Sequence, residues 1–486
     1  MTLDANPDAN LDAIAEPSDR PLCVDLDGTL VKSDTLLDAL FQLLRRDPLA
    51  LLGALLWLRG GRAGVKREAA RRAPLDPVHL PYNTELLRFL RAQHRQGRAL
   101  YLATGADGEL AARVAAHLGI FQGVLATDSR TNLTRERKLR RLQERFGAFD
   151  YVGNSRADLV LLAHAREAMV ANPTLGLRLA LRTRRIAIAR RFVDRRPILP
   201  SLFQALRVHQ WSKNILLIAP LLLSHRVTTH ALAAAVAAFF CFSFMASANY
   251  LVNDMLDMES DRRHPSKRQR PFAAGYLAVS TGVALAAAMA LASAALLPFL
   301  PARFALWLGL YIVATMLYSL ALKRIPIMDV LLLSGLYTLR LLAGGAATNT
   351  PISQWLAAFS TFLFLSLAMV KRFSELENLR ERGAAASHGR GYLVSDLEQI
   401  RSFGTASAYA AVVVFLLYIA RPDVAELYRH PGRLWLIVPL LLYWLHRVWL
   451  VASRGELDDD PVVFALRDPM SLAVGVCVVA LAVFAS

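Results

Sequence analysis

Two short stretches hold most of the side chains able to do chemistry. In "DLDGT", Asp25 and Asp27 stand two residues apart behind the apolar run "PLCV". Carboxylates at the carboxyl end of a buried strand lie where open parallel sheets bind their ligands. One can attack phosphorus, and the other can move the proton, first as acid and then as base. Gly28 permits the tight turn and Thr29 adds a hydroxyl. In "NDMLDMESDRRHPSKRQRPFAAG", residues 253–275, acids come first and cations follow. On a helix, Asp254, Asp257 and Asp261 share roughly one face with Asn253. Three anions at the end of an apolar run repel one another unless something cationic joins them. A few carboxylates completed by a bound phosphate chain is the Mg2+ pattern. A stop-transfer loop would account for the cations but not for the ordered NDxxDxxxD spacing.

These stretches need different scaffolds. The chain has 486 residues, 55% of them apolar, and the excess lies almost entirely beyond residue 200. Residues 1–20 are polar and acidic, without the basic start or apolar core of a signal peptide, and read as a disordered lead. Residues 21–172 alternate strands ("PLCVDLDGTL", "GRALYLATGA", "GVLATD", "FDYVGNS", "AMVAN") with helices, as in a doubly wound parallel sheet. A helical insertion at 31–95 is long enough for a small cap. Residues 173–210 form a basic juxtamembrane linker in which Arg182, Arg185, Arg190 and Arg191 interleave with apolar residues. It reads either as an amphipathic helix on an anionic leaflet or as a solvated linker helix.

From 211 to 486 we count about nine apolar runs long enough to span a bilayer, near 212–226, 231–252, 277–299, 303–322, 327–347, 353–370, 404–420, 433–452 and 470–486. With the N-terminus in the cytoplasm, the connections beginning at 253, 323, 371 and 453 fall inside. The first three carry the expected Lys/Arg excess, whereas "RPDVAELYRHPGR" falls outside despite its three arginines. The net charge of +17 clusters beside these runs, which points to anionic lipids and phosphorylated substrates rather than nucleic acid. Cys23, Cys241 and Cys477 are far apart in apolar contexts, so neither a disulfide framework nor a metal cluster is expected.

The first domain resembles the haloacid dehalogenase-like (HAD) phosphatase superfamily, a Rossmannoid α/β fold. Beyond "DLDGT", Thr104 in "LATGA" and Lys138 in "TRERKLRRL" match its phosphate-binding hydroxyl and lysine. "GNSRAD" matches its acidic metal loop, with Asp158 the remaining carboxylate and Asn154 where an aspartate is usual. The resemblance implies Mg2+ on Asp25, Asp27, Asn154 and Asp158. An amide brings no charge to the ion, so an active phosphotransferase and a degenerate, regulatory domain both stay open.

The membrane half resembles the UbiA superfamily of intramembrane transferases. Their first aspartate-rich motif binds Mg2+-diphosphate at the cytoplasmic end of the second span. Their second motif, DxxxD, is replaced here by "MVKRFSELENLRERG", with Lys371, Arg372 and Glu375. The blocks "HQWSKN", "YSLALKRIPIMDV", "LRLLAGG", "PISQWL", "KRFSEL" and "DDDPVVFALRD" are similar in order to polyprenyl-phosphate phosphoribosyltransferases. That resemblance implies phosphoribosyl pyrophosphate (PRPP) as donor and a decaprenyl-type polyprenyl phosphate as acceptor. Asn253, Asp254, Asp257 and Asp261 would hold Mg2+ and diphosphate, and Lys267, Arg268 and Arg270 donor phosphates. Tyr318, Lys323 and Asp329 would complete the site at the next cytoplasmic turn. Lys213, Lys371 and Arg372 are candidates for the lipid phosphate, or else residues snorkelling at span ends. Arg340 lies inside a span, where a site-facing role is expected.

The expectation is therefore an enzyme of a bacterial-type inner membrane, with one Mg2+ site per domain and both sites facing the cytoplasm. Anionic lipids are expected partners, and an oligomer is compatible with the pattern. The alternative enzyme is an aromatic prenyltransferase using a prenyl diphosphate, with a regulatory HAD domain. A transporter fits poorly, because its charges belong near the midplane.

Overall fold

The computed structural model describes residues 19–485 except 48–49, 51–56, 58–60, 128–132, 134, 225–226, 382, 384–390, 426–427 and 458–459. The expected disordered lead, 1–20, lies almost wholly outside the described residues. The chain divides into two compact units, Met1–Ala205 with Leu251–Ala284, and Leu206–Tyr250 with Leu285–Ser486. The aspartate-rich stretch thus belongs to the same unit as the α/β domain.

In the first unit six parallel strands, β1 (Leu22–Val24), β2 (Leu100–Asp107), β3 (Gly123–Thr127), β4 (Asp150–Gly153), β5 (Ala168–Ala171) and β6 (Arg190–Phe192), take the order β3-β2-β1-β4-β5-β6. Leu22, Cys23 and Val24 are fully buried, as a strand covered on both faces requires. Leu22 pairs with Leu100 on one side and Asp150 on the other. From β1 the chain builds outward through β2 and β3 and then returns to place β4 on the other edge of β1, so a crevice opens at the carboxyl end of β1, where Asp25 and Asp27 follow.

The basic linker does more than connect. Leu175–Thr183 is a helix with Leu177 and Leu181 buried, and Arg190–Phe192 extends the sheet beside β5. Phe192 supplies the reason: it is buried, its ring is 5.1 Å from that of Phe89, and Arg190 stacks on both.

The insertion contributes the helices Thr35–Arg46, Gly61–Arg72 and Thr84–Arg95. Asp34 caps the first through Leu36 N and Leu37 N, and Asn83 caps the third through Leu86 N. In the aspartate-rich stretch the helix Thr229–Leu256 ends just before Asp257, and a short helix, Met258–Arg263, follows. Gly275 closes the stretch at φ +70°, and a Cβ there would lie 2.6 Å from Lys32 Cβ.

Among the described residues, seven helices are long and apolar enough to cross a membrane: Thr229–Leu256, Val279–Phe299, Ala302–Leu320, Met328–Thr348, Gln354–Glu381, Val394–Ile419 and Pro431–Ser453. The last expected span is the shorter apolar helix Pro469–Ala485. The first expected span, 212–226, instead forms a 3-10 stretch, Val208–Leu217, and the short helix Ala219–Leu223. Pro220 there has no N–H to extend the preceding hydrogen-bond ladder.

Met328–Thr348 is the most buried of the seven. Its glycines permit this: a Cβ on Gly344 would lie 2.1 Å from Leu217 O, and one on Gly345 2.6 Å from Ile352. Of the cysteines, Cys23 and Cys241 are buried and Cys477 is exposed. Burial pushes the Cys23 thiol up to about 12, leaving it a small apolar residue rather than a nucleophile.

Candidate functional site

The sheet brings the first set of residues together. Asp25 Oδ1 accepts from Lys138 Nζ at 2.8 Å, and the same ammonium donates to Tyr151 Oη at 2.6 Å. Tyr151 in turn donates to Asp158 Oδ1 at 2.9 Å. Asp158 Oδ2 accepts from Asn154 N, Ser155 N and Ser155 Oγ, so this carboxylate also ties its own loop. Asp27 Oδ1 accepts from both Thr35 N, at 2.9 Å, and Thr35 Oγ1, at 2.7 Å. Thr104 is fully buried, and its Oγ1 accepts from Ala106 N. Asn154 lies against the acidic turn: a Cβ on Gly28 would be 2.0 Å from its Nδ2.

Burial dominates the electrostatics here. It pushes Asp25 up to about 6 against the pull of Lys138, with Asp158 adding to the rise. Asp27 rises to about 7 through burial and the neighbouring Asp34, against two hydrogen bonds from Thr35. These carboxylates are short of positive charge, and the buried Thr29 Oγ1 has no hydrogen-bond partner. An all-oxygen set with uncompensated negative charge fits a hard divalent cation. A shallow crevice opens over Asp27, bordered by Thr35, Lys66, Asp107, Leu110 and Arg113.

The aspartate-rich stretch repeats the theme. Asp254 and Asp261 are almost fully buried, and Arg270 Nη1 bridges them at 3.2 and 2.8 Å. Asn253 Nδ2 donates to Asp257 Oδ2 at 3.3 Å. Burial pushes Asp261 up to about 6 despite Arg270, because Asp254 and Asp257 stand close. Of the three basic candidates, Arg270 bridges two of the carboxylates; Lys267 is half-buried in a tight turn and Arg268 is exposed. This set too fits Mg2+. Among the described residues, no three Asp, Glu, His or Cys side chains could enclose an ion by themselves. Substrate phosphate or water oxygens would have to complete either shell.

The remaining candidates lie in the second unit. Lys213 Nζ and Lys371 Nζ converge on a single oxygen, Asp460 Oδ2, at 2.8 and 2.7 Å. Tyr337 Oη donates to the other oxygen at 3.2 Å. Burial alone would raise the Asp460 carboxyl, but the two lysines hold it well below the usual range. Asp460 stands in the block "DDDPVVFALRD", which by itself assigns it no role. Its signal is positional: an aspartate before Pro461 caps the helix Pro461–Ala465 through Val462 N.

Arg340 is buried and donates to Asn214 Oδ1 at 2.9 Å, with the rings of Tyr311, Tyr337 and Phe242 around it. Arg372 is fully buried, 2.9 Å from Asp329 and paired with Glu375. Tyr392 donates to the other oxygen of Asp329. Arg372 is thus enclosed in protein rather than reaching toward a membrane surface. Tyr318 and Lys323 are half-buried.

Residues 215–475 match the UbiA prenyltransferase family, and residues 22–163 match the haloacid dehalogenase-like hydrolases. An uncharacterized Sinorhizobium fredii protein, y4nM, is 36% identical over 460 residues, covering 94% of this chain and 89% of its own length. The nodulation protein NoeC of Azorhizobium caulinodans is 36% identical over 57% of this chain and 90% of its own. The decaprenyl-phosphate phosphoribosyltransferase of Mycolicibacterium smegmatis is 34% identical over 56% of this chain and 87% of its own.

Proposed function

The chain belongs to the UbiA prenyltransferase family, as an integral membrane protein with an N-terminal HAD-like domain, and from that premise we propose that it transfers 5-phosphoribose from PRPP to a polyprenyl phosphate. The HAD-like domain then removes the 5-phosphate to leave polyprenyl-phosphoryl-ribose. The observation that carries this reading is the second motif. Where a DxxxD pair would collect a cation, the helix Gln354–Glu381 offers Lys371, whose ammonium meets that of Lys213 on Asp460. Two ammoniums on one oxygen suit a phosphate monoester. The relatives named decaprenyl-phosphate phosphoribosyltransferase support the same donor and acceptor.

In the transfer, an oxygen of the acceptor phosphate forms a bond to C1 of the ribose as the C1–O bond to pyrophosphate breaks. Lys213 and Lys371 orient the acceptor, and Arg270, Lys267 and Arg268 hold the oxygens of the departing pyrophosphate and of the 5-phosphate. Mg2+ held by Asp254, Asp257 and Asp261 would supply charge neutralisation for the leaving group. In the hydrolytic step Asp25 attacks the 5-phosphorus while Asp27 protonates the leaving ribose oxygen. Asp27 then takes a proton from the water that releases inorganic phosphate. Lys138 and Thr104 hold the phosphoryl oxygens, and Mg2+ on Asp25, Asp27 and Asp158 would offset their charge.

Both steps are assigned to the cytoplasmic face of a bacterial-type inner membrane, on the Lys/Arg excess of the connections beginning at 253, 323 and 371. Tethering them raises the product concentration at the second site. Membranes given labelled PRPP and polyprenyl phosphate should form a lipid-linked ribose without its 5-phosphate. Asp25→Asn membranes should accumulate the phosphorylated form. Turnover of a prenyl diphosphate but not PRPP would replace this reading with an aromatic prenyltransferase.

A further inference from the structure

One helix of the N-terminal domain lays a whole face against the aspartate-rich stretch. Thr35–Arg46 begins with Thr35 donating to Asp27, and its Asp38, Gln42 and Arg45 share one face. That face meets residues 256–262. Arg45 Nη1 lies 3.0 Å from Asp257 Oδ1, 2.8 Å from Ser260 Oγ and 3.4 Å from Leu256 O, one of the last carbonyls of its helix. A cation at a helix C-terminus is favourably placed in its own right.

Asp38 pairs with Arg262 at 2.8 Å with both side chains buried, and Ser33 Oγ donates to the same Asp38 oxygen. Arg262 also donates to Ala273 O, at the far end of the loop. Gln42 and Arg46 both bond Glu259. A buried pair of this kind is costly unless its geometry is fixed, so the contact sets one arrangement of the loop. With Asn253 on its other oxygen, Asp257 is held from two sides.

We propose that the helix Thr35–Arg46 is a working part of the transferase site, with Arg45 the positioning residue that fixes Asp257. The N-terminal domain then has a second role, separate from any hydrolysis at Asp25: it builds one wall of the donor-diphosphate site. The choice of PRPP as probe rests on the function proposed above, whereas the role of Arg45 does not.

The test uses the full chain purified in detergent. Amide hydrogen exchange over residues 253–263, measured without metal, reads the loop. The donor KM and kcat read the site. Arg45→Ala should speed exchange over 257–263 and raise the donor KM by about fivefold while changing kcat less, as expected when one charge-assisted contact is lost. Arg45→Lys keeps the charge without the forked geometry and should fall between wild type and Ala. It also reads the same two quantities should the Ala variant not fold. Arg71→Ala, whose partner Glu68 lies on the same helix, is the control. Exchange and KM within twofold of wild type in Arg45→Ala would overturn the proposal, as would a Lys variant no better than Ala. If the wild type turns over no PRPP, the function proposed above fails, and the exchange data together with KM for a prenyl diphosphate still decide the role of Arg45.

Discussion

The aspartate-rich stretch and the Asp460 centre are built with opposite signs. In one, the buried carboxylates Asp254 and Asp261 both meet Arg270, and Asp261 is still pushed up to about 6. In the other, the ammoniums of Lys213 and Lys371 meet on one oxygen of Asp460. Each centre is weighted toward one sign of charge. A purely structural ion pair has no need of such an excess, because unmatched buried charge is expensive. A site awaiting a ligand of the opposite sign does need it. The first centre is short of a cation and the second short of an anion, and a phosphorylated donor with its metal and a phosphorylated acceptor supply them.

Removing a member of the acidic centre gives the hardest test of that contrast. Asp257→Ala should lower transfer by about a thousandfold, roughly 4 kcal/mol in the barrier, because the leaving pyrophosphate loses part of its neutralisation. Single-turnover transfer of labelled ribose checks it, and near-normal activity would remove the motif from the chemistry. A buried ion pair away from these two centres should behave differently. Arg372 and Asp329 are both fully buried and 2.9 Å apart, so Arg372→Met should destabilise the fold by about 3–5 kcal/mol, leaving Asp329 without its cation. Thermal unfolding in detergent reads this directly. Asp460→Asn lies between these cases. It keeps the shape while releasing the two lysines, and should change the acceptor KM by up to about tenfold with less effect on the donor. An equal shift in both would contradict the separate assignment of the two centres.

Much of this was legible in the sequence, and the reason lies in spacing. "DLDGT" and NDxxDxxxD are local patterns, and the backbone alone brings their members together. The first five strands were readable because each is a short apolar run between turn residues. The sixth was not, because "RRF" is mostly charged and counts as a strand only once Phe192 finds Phe89. The first expected span gave way to a 3-10 stretch since apolar length says nothing about the proline within it. Arg45 and Asp460 were invisible for a different reason. Their partners lie 212 and 247 residues away, Asp257 for the first and Lys213 for the second, and only tertiary packing makes either a site residue.

The smallest effect separates an under-compensated carboxylate from an over-compensated one within a single unit. Asp261 is pushed up to about 6, with its charge incompletely matched. Asp194 is the opposite case. Burial alone would raise it, but Thr84 N at 2.8 Å, Thr84 Oγ1 at 2.9 Å and Lys32 at 3.2 Å hold it below the usual range. A carboxyl depressed in the folded state stabilises the fold above its unfolded pKa of about 3.9. That contribution is lost as pH falls through the lower folded value. Asp194→Asn should therefore cost about 1 kcal/mol at pH 7, a modest sum for a half-buried group with charge-assisted bonds. The difference from wild type should shrink steadily below about pH 4. Thermal unfolding of both proteins from pH 7 down to pH 3 reads that convergence. A gap that instead widened on acidification would mean that Asp194 is protonated in the fold, and the distinction between matched and unmatched carboxylates would no longer mark the site.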